Sequence, residues 1–215
     1  MPLFFQQDIN DSTRLGVWRI DEDESFFLQQ VPLQREITHP KKRSQHLAGR
    51  FLLRFLFPEF PIGSILIADT HKPFVADESF HFSISHCDDT AAAIVSRSAR
   101  VGVDVEIATP RVHRIIDKFL HPEERSWMEM KCGGNPALLT SSLAIRLPTL
   151  LWSAKEAVFK WYGEGKVDFS EHIRLLPFDM KESGSINAFF LKDGRVPLQL
   201  QYRWLDSVCL CSITE

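Results

Sequence analysis

Five side chains in two short stretches have the types and spacing for phosphate chemistry. In Val101-Gly102-Val103-Asp104-Val105-Glu106-Ile107 two acids fall two residues apart on a β-branched run. Such a run alternates faces as a strand, so Asp104 and Glu106 share one face, and Val103, Val105 and Ile107 take the other. Carboxylates side by side repel unless a cation lies between them. Hard oxygen ligands suit Mg²⁺, which keeps waters and takes one or two carboxylates together with substrate phosphates. The second stretch, Leu151 to Trp161, reads as a helix of good formers, with Pro148 just before it and Gly163 just after. Its period puts Trp152, Glu156 and Lys160 on one face, Lys155 and Phe159 beside them, and Ala154, Ala157, Val158 and Trp161 opposite. Apolar residues on both sides predict packing on both sides, so Glu156 and Lys160 are expected to be partly buried, and therefore paired or ligating. Each stretch alone has a plainer reading: an edge strand showing acids to water, and an i,i+4 Glu–Lys pair on a solvated face. Together they predict three carboxylates (Asp104, Glu106, Glu156) and two lysines around a metal and a polyphosphate.

The same residues carry a family resemblance. Gly-Val-Asp-Val-Glu at 102–106, followed by Trp-Ser-Ala-Lys-Glu-Ala-Val-Phe-Lys at 152–160, resembles the signature pair of the 4'-phosphopantetheinyl transferase superfamily. Phe82-Ser83-Ile84-Ser85-His86 is similar to a third motif of that family, with Ser83 where Asn is common and Cys87 where Ser is common. Order and spacing agree over roughly residues 40 to 170. The resemblance is to the larger, monomeric, Sfp-type group. It implies an α+β fold of two similar lobes, each a long helix packed on a small antiparallel sheet, in a pseudo-two-fold arrangement with the active site between them. On this reading the lobes are residues 1–100 and 101–215, the second carrying the metal site.

Further candidates follow along the chain. Residues 1–36 say little beyond a strand near Gly16–Ile20 and a short helix within Asp21–Val31. From Pro40 to Phe57 the period is helical, with Leu47, Phe51, Phe55 and Leu56 on one stripe and Lys42, Arg43, His46, Arg50 and Arg54 on a basic one. A basic stripe usually faces water. The resemblance instead implies contacts to coenzyme A from this helix, and Arg43 and Arg50 are the candidates. In Asp69-Thr70-His71-Lys72-Pro73-Phe74, Lys72 matches a phosphate-binding lysine of the family, and His71 replaces a Gly that often supplies a positive φ. His81–Ser85 and Ala91–Ser96 predict a hairpin. The resemblance implies that His86, with Ser85 beside it, contacts the 3'-phosphate of coenzyme A, and a protonated His would make a charge-assisted bond there. Helices are expected at Pro110–Leu120 and from Pro122, with Glu124 as a helix-start acid or, as the resemblance implies, a metal-site support or base. A run at Ala137–Leu147 predicts a short apolar helix, a docking surface if exposed. Short strands follow to the C-terminus, with a turn at Asp193-Gly194.

Composition is that of an ordinary soluble domain: 44% hydrophobic, 25% charged, net charge −3. That charge gives no case for nucleic-acid binding. The expectations are a reduced, cytoplasmic protein, without signal pattern or membrane span, acting as a monomer. The implied reaction moves the 4'-phosphopantetheine arm of coenzyme A to a serine of an apo acyl or peptidyl carrier protein and releases adenosine 3',5'-bisphosphate. Asp104, Glu106 and Glu156 would hold Mg²⁺ (or Mn²⁺), Lys160 would stabilise phosphate charge, and Lys155 would hold the pyrophosphate or orient Glu156. Glu156, Glu124 or a water would serve as base. The alternatives are a non-catalytic module binding coenzyme A or a carrier, and another metal-dependent phosphoryl-transfer enzyme such as a nuclease.

Overall fold

The computed structural model describes residues 2–133 and 142–215. Its contacts divide the chain into two compact units, residues 1–105 with 214–215, and residues 106–213. Both are α+β, a long helix against antiparallel strands.

In the first unit β1 (Leu3–Asn10), β2 (Thr13–Arg19), β5 (His81–Cys87) and β6 (Thr90–Ser96) form an antiparallel sheet in the order β1-β2-β6-β5. Strand β1 lies in the region where the sequence offered little. Its hydrophobic residues do not alternate cleanly, and pairing with β2, with two register shifts, makes it a strand. A short helix α1 (Glu24–Leu28) and a long one, α2 (Pro40–Leu56), cover the sheet. Of the predicted stripe of α2, Leu47 and Leu56 are buried, and Leu52 and Leu53 complete the buried face. Phe51 and Phe55 turn aside to join Trp18 and Phe26, with ring centroids 4.9 to 5.5 Å apart. The middle of β6 is Ala91-Ala92-Ala93, fully buried, and small side chains let the helix lie close. Gly49 shows how close: a Cβ there would sit 2.6 Å from Ile84 of β5. Strands β3 (Ile65–Ile67) and β4 (Pro73–Val75) form a separate ribbon. His71, in the turn between them, takes φ 65, so the position does demand the left-handed conformation and a histidine supplies it. Strand β7 (Val101–Ile107) carries the acidic motif, and the division between units falls within it.

The second unit holds a 3₁₀ segment at Pro110–Ile115 running into α3 (Ile116–Phe119), then α4 (Pro122–Lys131), α5 (Ser142–Tyr162), α6 (Phe169–His172) and strands β8 (Ile173–Leu175), β9 (Ser183–Phe190), β10 (Val196–Leu205) and β11 (Val208–Thr214). The last four strands run side by side in the order β8-β9-β10-β11. On β10, Leu198, Leu200, Tyr202 and Trp204 point inward and Gln199, Gln201 and Arg203 outward, the period-two alternation of a half-covered sheet. Helix α5 packs both sides of its surface, as its apolar pattern requires.

One expectation about α5 is corrected. Pro148 lies inside the helix instead of at its start. Proline has no N–H and so cannot serve the carbonyl four residues back, that of Ala144. His113 Nε2 donates to that carbonyl at 2.9 Å and stands in for the missing amide. Residues 142–147 of the predicted separate short helix belong to α5, and the rest of that segment lies outside the described residues. The C-terminus of α5 matches expectation: Gly163, at φ 73, donates its N–H to Phe159 O at 3.0 Å. Among the described residues no helix is long and apolar enough to cross a membrane.

Candidate active site

Strand β7 is hydrogen-bonded, within each unit, to one of the other two motifs. In the first unit Asp104 is buried, and its Oδ1 accepts from the Ser85 hydroxyl of β5 at 2.8 Å. Ser83 Oγ, two residues earlier, accepts from Val103 N at 3.1 Å. In the second unit Glu106 Oε1 accepts from Trp152 Nε1 of α5 at 3.1 Å. Glu156 and Lys160 follow Trp152 at four-residue steps on that helix face, each half-buried, as expected.

Hard carboxylate oxygens suit a divalent metal, and two neutral donors, a hydroxyl and an indole N–H, bond Asp104 and Glu106 here. Such donors fix a carboxylate's direction, as the outer partners of metal-ligating residues do. Among the described residues no three His, Cys, Asp or Glu side chains are gathered closely enough to enclose an ion by themselves. Mg²⁺ needs only one or two carboxylates and keeps its remaining waters.

Two of the predicted ligands of coenzyme A are used differently. Ser85 has one hydroxyl proton and directs it to Asp104, so it cannot donate that proton to a phosphate as well. Lys155 is 0% exposed. Its ammonium lies 2.6 Å from Glu124 Oε2, 2.8 Å from Phe119 O, 2.9 Å from Phe169 O and 2.7 Å from Ile173 O. These oxygens hold it inside the core. Burial pulls its pKa down to about 8, and Glu124 opposes the shift. Glu124, 4% exposed, also accepts from His121 N at the start of α4 and from Leu175 N of β8. It is a buried structural acid, poorly placed to act as a base toward substrate.

Three basic side chains of α2 have different fates. Arg43 is bonded to Glu24 Oε2 at 2.7 Å and to Ile37 O at 3.0 Å, so an anion there would compete with a carboxylate. Lys41 pairs with Asp88 and Asp89 at the β5–β6 turn, and Gln45 Nε2 donates to Asp88 O at 2.7 Å, so α2 fixes the turn that follows His86. Arg50 is 7% exposed, and among the described residues it meets no carboxylate. Its Nε donates to Gln34 Oε1 at 2.8 Å and its Nη1 to His46 Nδ1 at 3.1 Å. Burial lowers the Arg50 pKa to about 10, and the charge of Arg35 adds to the shift. Burial, then Arg50, Arg35 and His86, lowers that of His46 to about 4. Because His46 Nδ1 accepts, Nε2 carries the ring proton, and this buried N–H has no partner among the described residues. Mutually repelling donors with one orphan N–H make a place for an anion. His86 is exposed beside this group, and Lys72 is half-buried in the β3–β4 turn.

Sequence reasoning missed Trp152 as the donor to Glu106, although its place one turn before Glu156 was visible. His46 stood in the basic stripe without a role, and its i,i+4 relation to Arg50 was the available signal. Arg35 lies in a loop with no pattern to mark it.

The family model of the 4'-phosphopantetheinyl transferase superfamily matches residues 100–206, from the start of β7 through the helix bearing Glu156 and beyond. The chain is 35% identical over 156 residues to enterobactin synthase component D of Salmonella typhi, an alignment covering 69% of this chain and 57% of that protein. It is 31% identical over 150 residues to the protein of the same name from Escherichia coli K12, covering 66% and 68%. It is also 31% identical over 94 residues to 4'-phosphopantetheinyl transferase gsp of Aneurinibacillus migulanus, covering 44% and 35%. The chain thus spans little more than half the length of the Salmonella typhi relative. With its motifs joined in this way and with identity of this extent to the Escherichia coli protein, the chain belongs to the 4'-phosphopantetheinyl transferase superfamily.

Proposed function

We propose that this protein transfers the 4'-phosphopantetheine arm of coenzyme A to a serine of an apo carrier protein and releases adenosine 3',5'-bisphosphate. The observation that carries the reading is the double link of β7: Ser85 orients Asp104 and Trp152 orients Glu106, so the acids of the central motif are each set by a neighbouring motif. The serine hydroxyl oxygen attacks the pantetheine-side phosphorus, the bond to the bridging oxygen breaks, and the bisphosphate leaves with that oxygen. Glu156 takes the serine proton. Lys160, one turn further along α5, faces the charge that develops on the leaving phosphate. Arg50, His46 and His86 hold a phosphate of the nucleotide end, with Lys72 on the pyrophosphate. Asp104, Glu106 and Glu156 would hold Mg²⁺, whose part is to neutralise pyrophosphate charge.

Intact-mass spectrometry of an apo carrier protein incubated with the protein, coenzyme A and Mg²⁺ tests this directly. The expected result is a gain of about 340 Da that is lost with EDTA. Glu156→Ala and Asp104→Ala should each lower the rate by about 10²–10³-fold while leaving the fold intact. Binding of coenzyme A without mass gain on fatty-acid, polyketide and peptide carriers would replace transfer by a binding role.

A further inference from the structure

Lys155 is the strongest basic candidate that the reaction scheme leaves without a role. Its four oxygen neighbours exceed the three protons an ammonium can offer, so it has no donor to spare for substrate. Two of those oxygens belong to residues that meet α5 a second time. The Phe119 ring packs edge-on against Trp152, centroids 5.2 Å apart, and the Phe169 ring lies against it at 5.6 Å. Their carbonyls are thus gathered by Lys155 while their rings clamp Trp152, three residues before it on the same helix. Trp152 in turn donates to Glu106. Phe119 ends α3 and Phe169 starts α6, short elements of four residues each, which have little internal hydrogen bonding to fix them.

We propose that Lys155 serves the reaction as a positioning residue: its ammonium draws together the backbones of Phe119 and Phe169, their rings fix the Trp152 indole, and the indole N–H sets the direction of Glu106. This rests on the transferase reading for its kinetic consequences, but not for its structural ones. Glu124 keeps the ammonium in place, and its second oxygen fastens β8 to the same point.

Two measurements on the full chain test it. In the first, the indole N–H resonances of ¹⁵N-labelled protein are recorded, and that of Trp152 is identified by its absence in Trp152→Phe. In Lys155→Met the Trp152 signal should move and its exchange with solvent should quicken. An unchanged signal in folded Lys155→Met overturns the proposal. If the lone Glu124 charge prevents folding, the double change Lys155→Met with Glu124→Gln removes both charges and is read in the same way. In the second, carrier modification is followed against Mg²⁺ and coenzyme A separately. Lys155→Met and Trp152→Phe should each raise the half-maximal Mg²⁺ concentration about tenfold, with KM for coenzyme A little changed, and the two together should do no more than one. A raised KM for coenzyme A at unchanged metal requirement would return Lys155 to the pyrophosphate. An unchanged metal requirement in Trp152→Phe would break the link to Glu106. Absence of transfer by the wild-type protein would count against the transferase reading alone, and the indole spectra would still decide this one.

Discussion

His46 stays neutral in the fold because burial, and after it the charges of Arg50, Arg35 and His86, lowers its pKa from 6.5 to about 4. Between those values the unfolded chain binds a proton that the folded one refuses. Stability from this group is therefore complete above pH 6.5 and is lost as pH falls toward 4. For a half-buried ring the loss is on the order of 1 to 2 kcal/mol once solvent screening is allowed for. Urea unfolding of His46→Gln across this range should show a loss smaller by that amount, and an identical slope would refute the assignment. The residue scale also shows the limits of reading from sequence. Asp104 and Glu106 were legible because strand alternation fixes their relative direction. Lys155 was not, because a helical wheel gives only azimuth. The carbonyls that capture its ammonium come from segments up to thirty-six residues away in sequence.

At the scale of elements, α5 contains a proline whose cost is offset from outside the helix. His113→Ala removes the donor to Ala144 O and should destabilise the protein by about 1 kcal/mol. In a Pro148→Ala background the residue at 148 has its own N–H for that carbonyl, so the same change should cost almost nothing. A double-mutant cycle by chemical denaturation measures the coupling, and strict additivity would show that His113 does not replace the amide. Helix α2 offers a second case. Gly49→Ala brings a methyl to 2.6 Å from Ile84, so α2 and β5 must separate, and the cost expected from overpacking is about 1–3 kcal/mol with weakened binding of coenzyme A. Calorimetry that finds the variant as stable as the parent would mean that Ile84 yields without moving the strand. The periodicity of both helices was readable. The interior position of Pro148 was not, because its compensation lies in a 3₁₀ segment that sequence patterns describe only as helical.

For the whole molecule, each unit has its own hydrophobic core, one around Leu47, Leu52 and Val95, the other around Leu150, Leu151 and Leu200. The α+β class and the strand-helix order were evident from alternation and helical period, whereas β1 emerges only through its pairing with β2. None of the four cysteines forms a disulfide: Cys209 and Cys211 are buried on β11, and Cys87 and Cys132 are partly exposed. A thiol reagent such as Ellman's should therefore titrate two groups in the native protein and four in urea. Four fast groups in the native state would mean that β11 opens readily.

The burial of Lys155 bears on any attempt to block this motif chemically. The two lysines of Trp-Ser-Ala-Lys-Glu-Ala-Val-Phe-Lys look alike to a designer who has only the string of letters. An amine-reactive warhead entering from solvent finds Lys160 at the half-open face of α5 and never meets Lys155, which has no exposed surface. Covalent inhibitors built on this helix therefore have one nucleophile to aim at, five residues beyond the one at which the motif's Lys-Glu pair draws the eye.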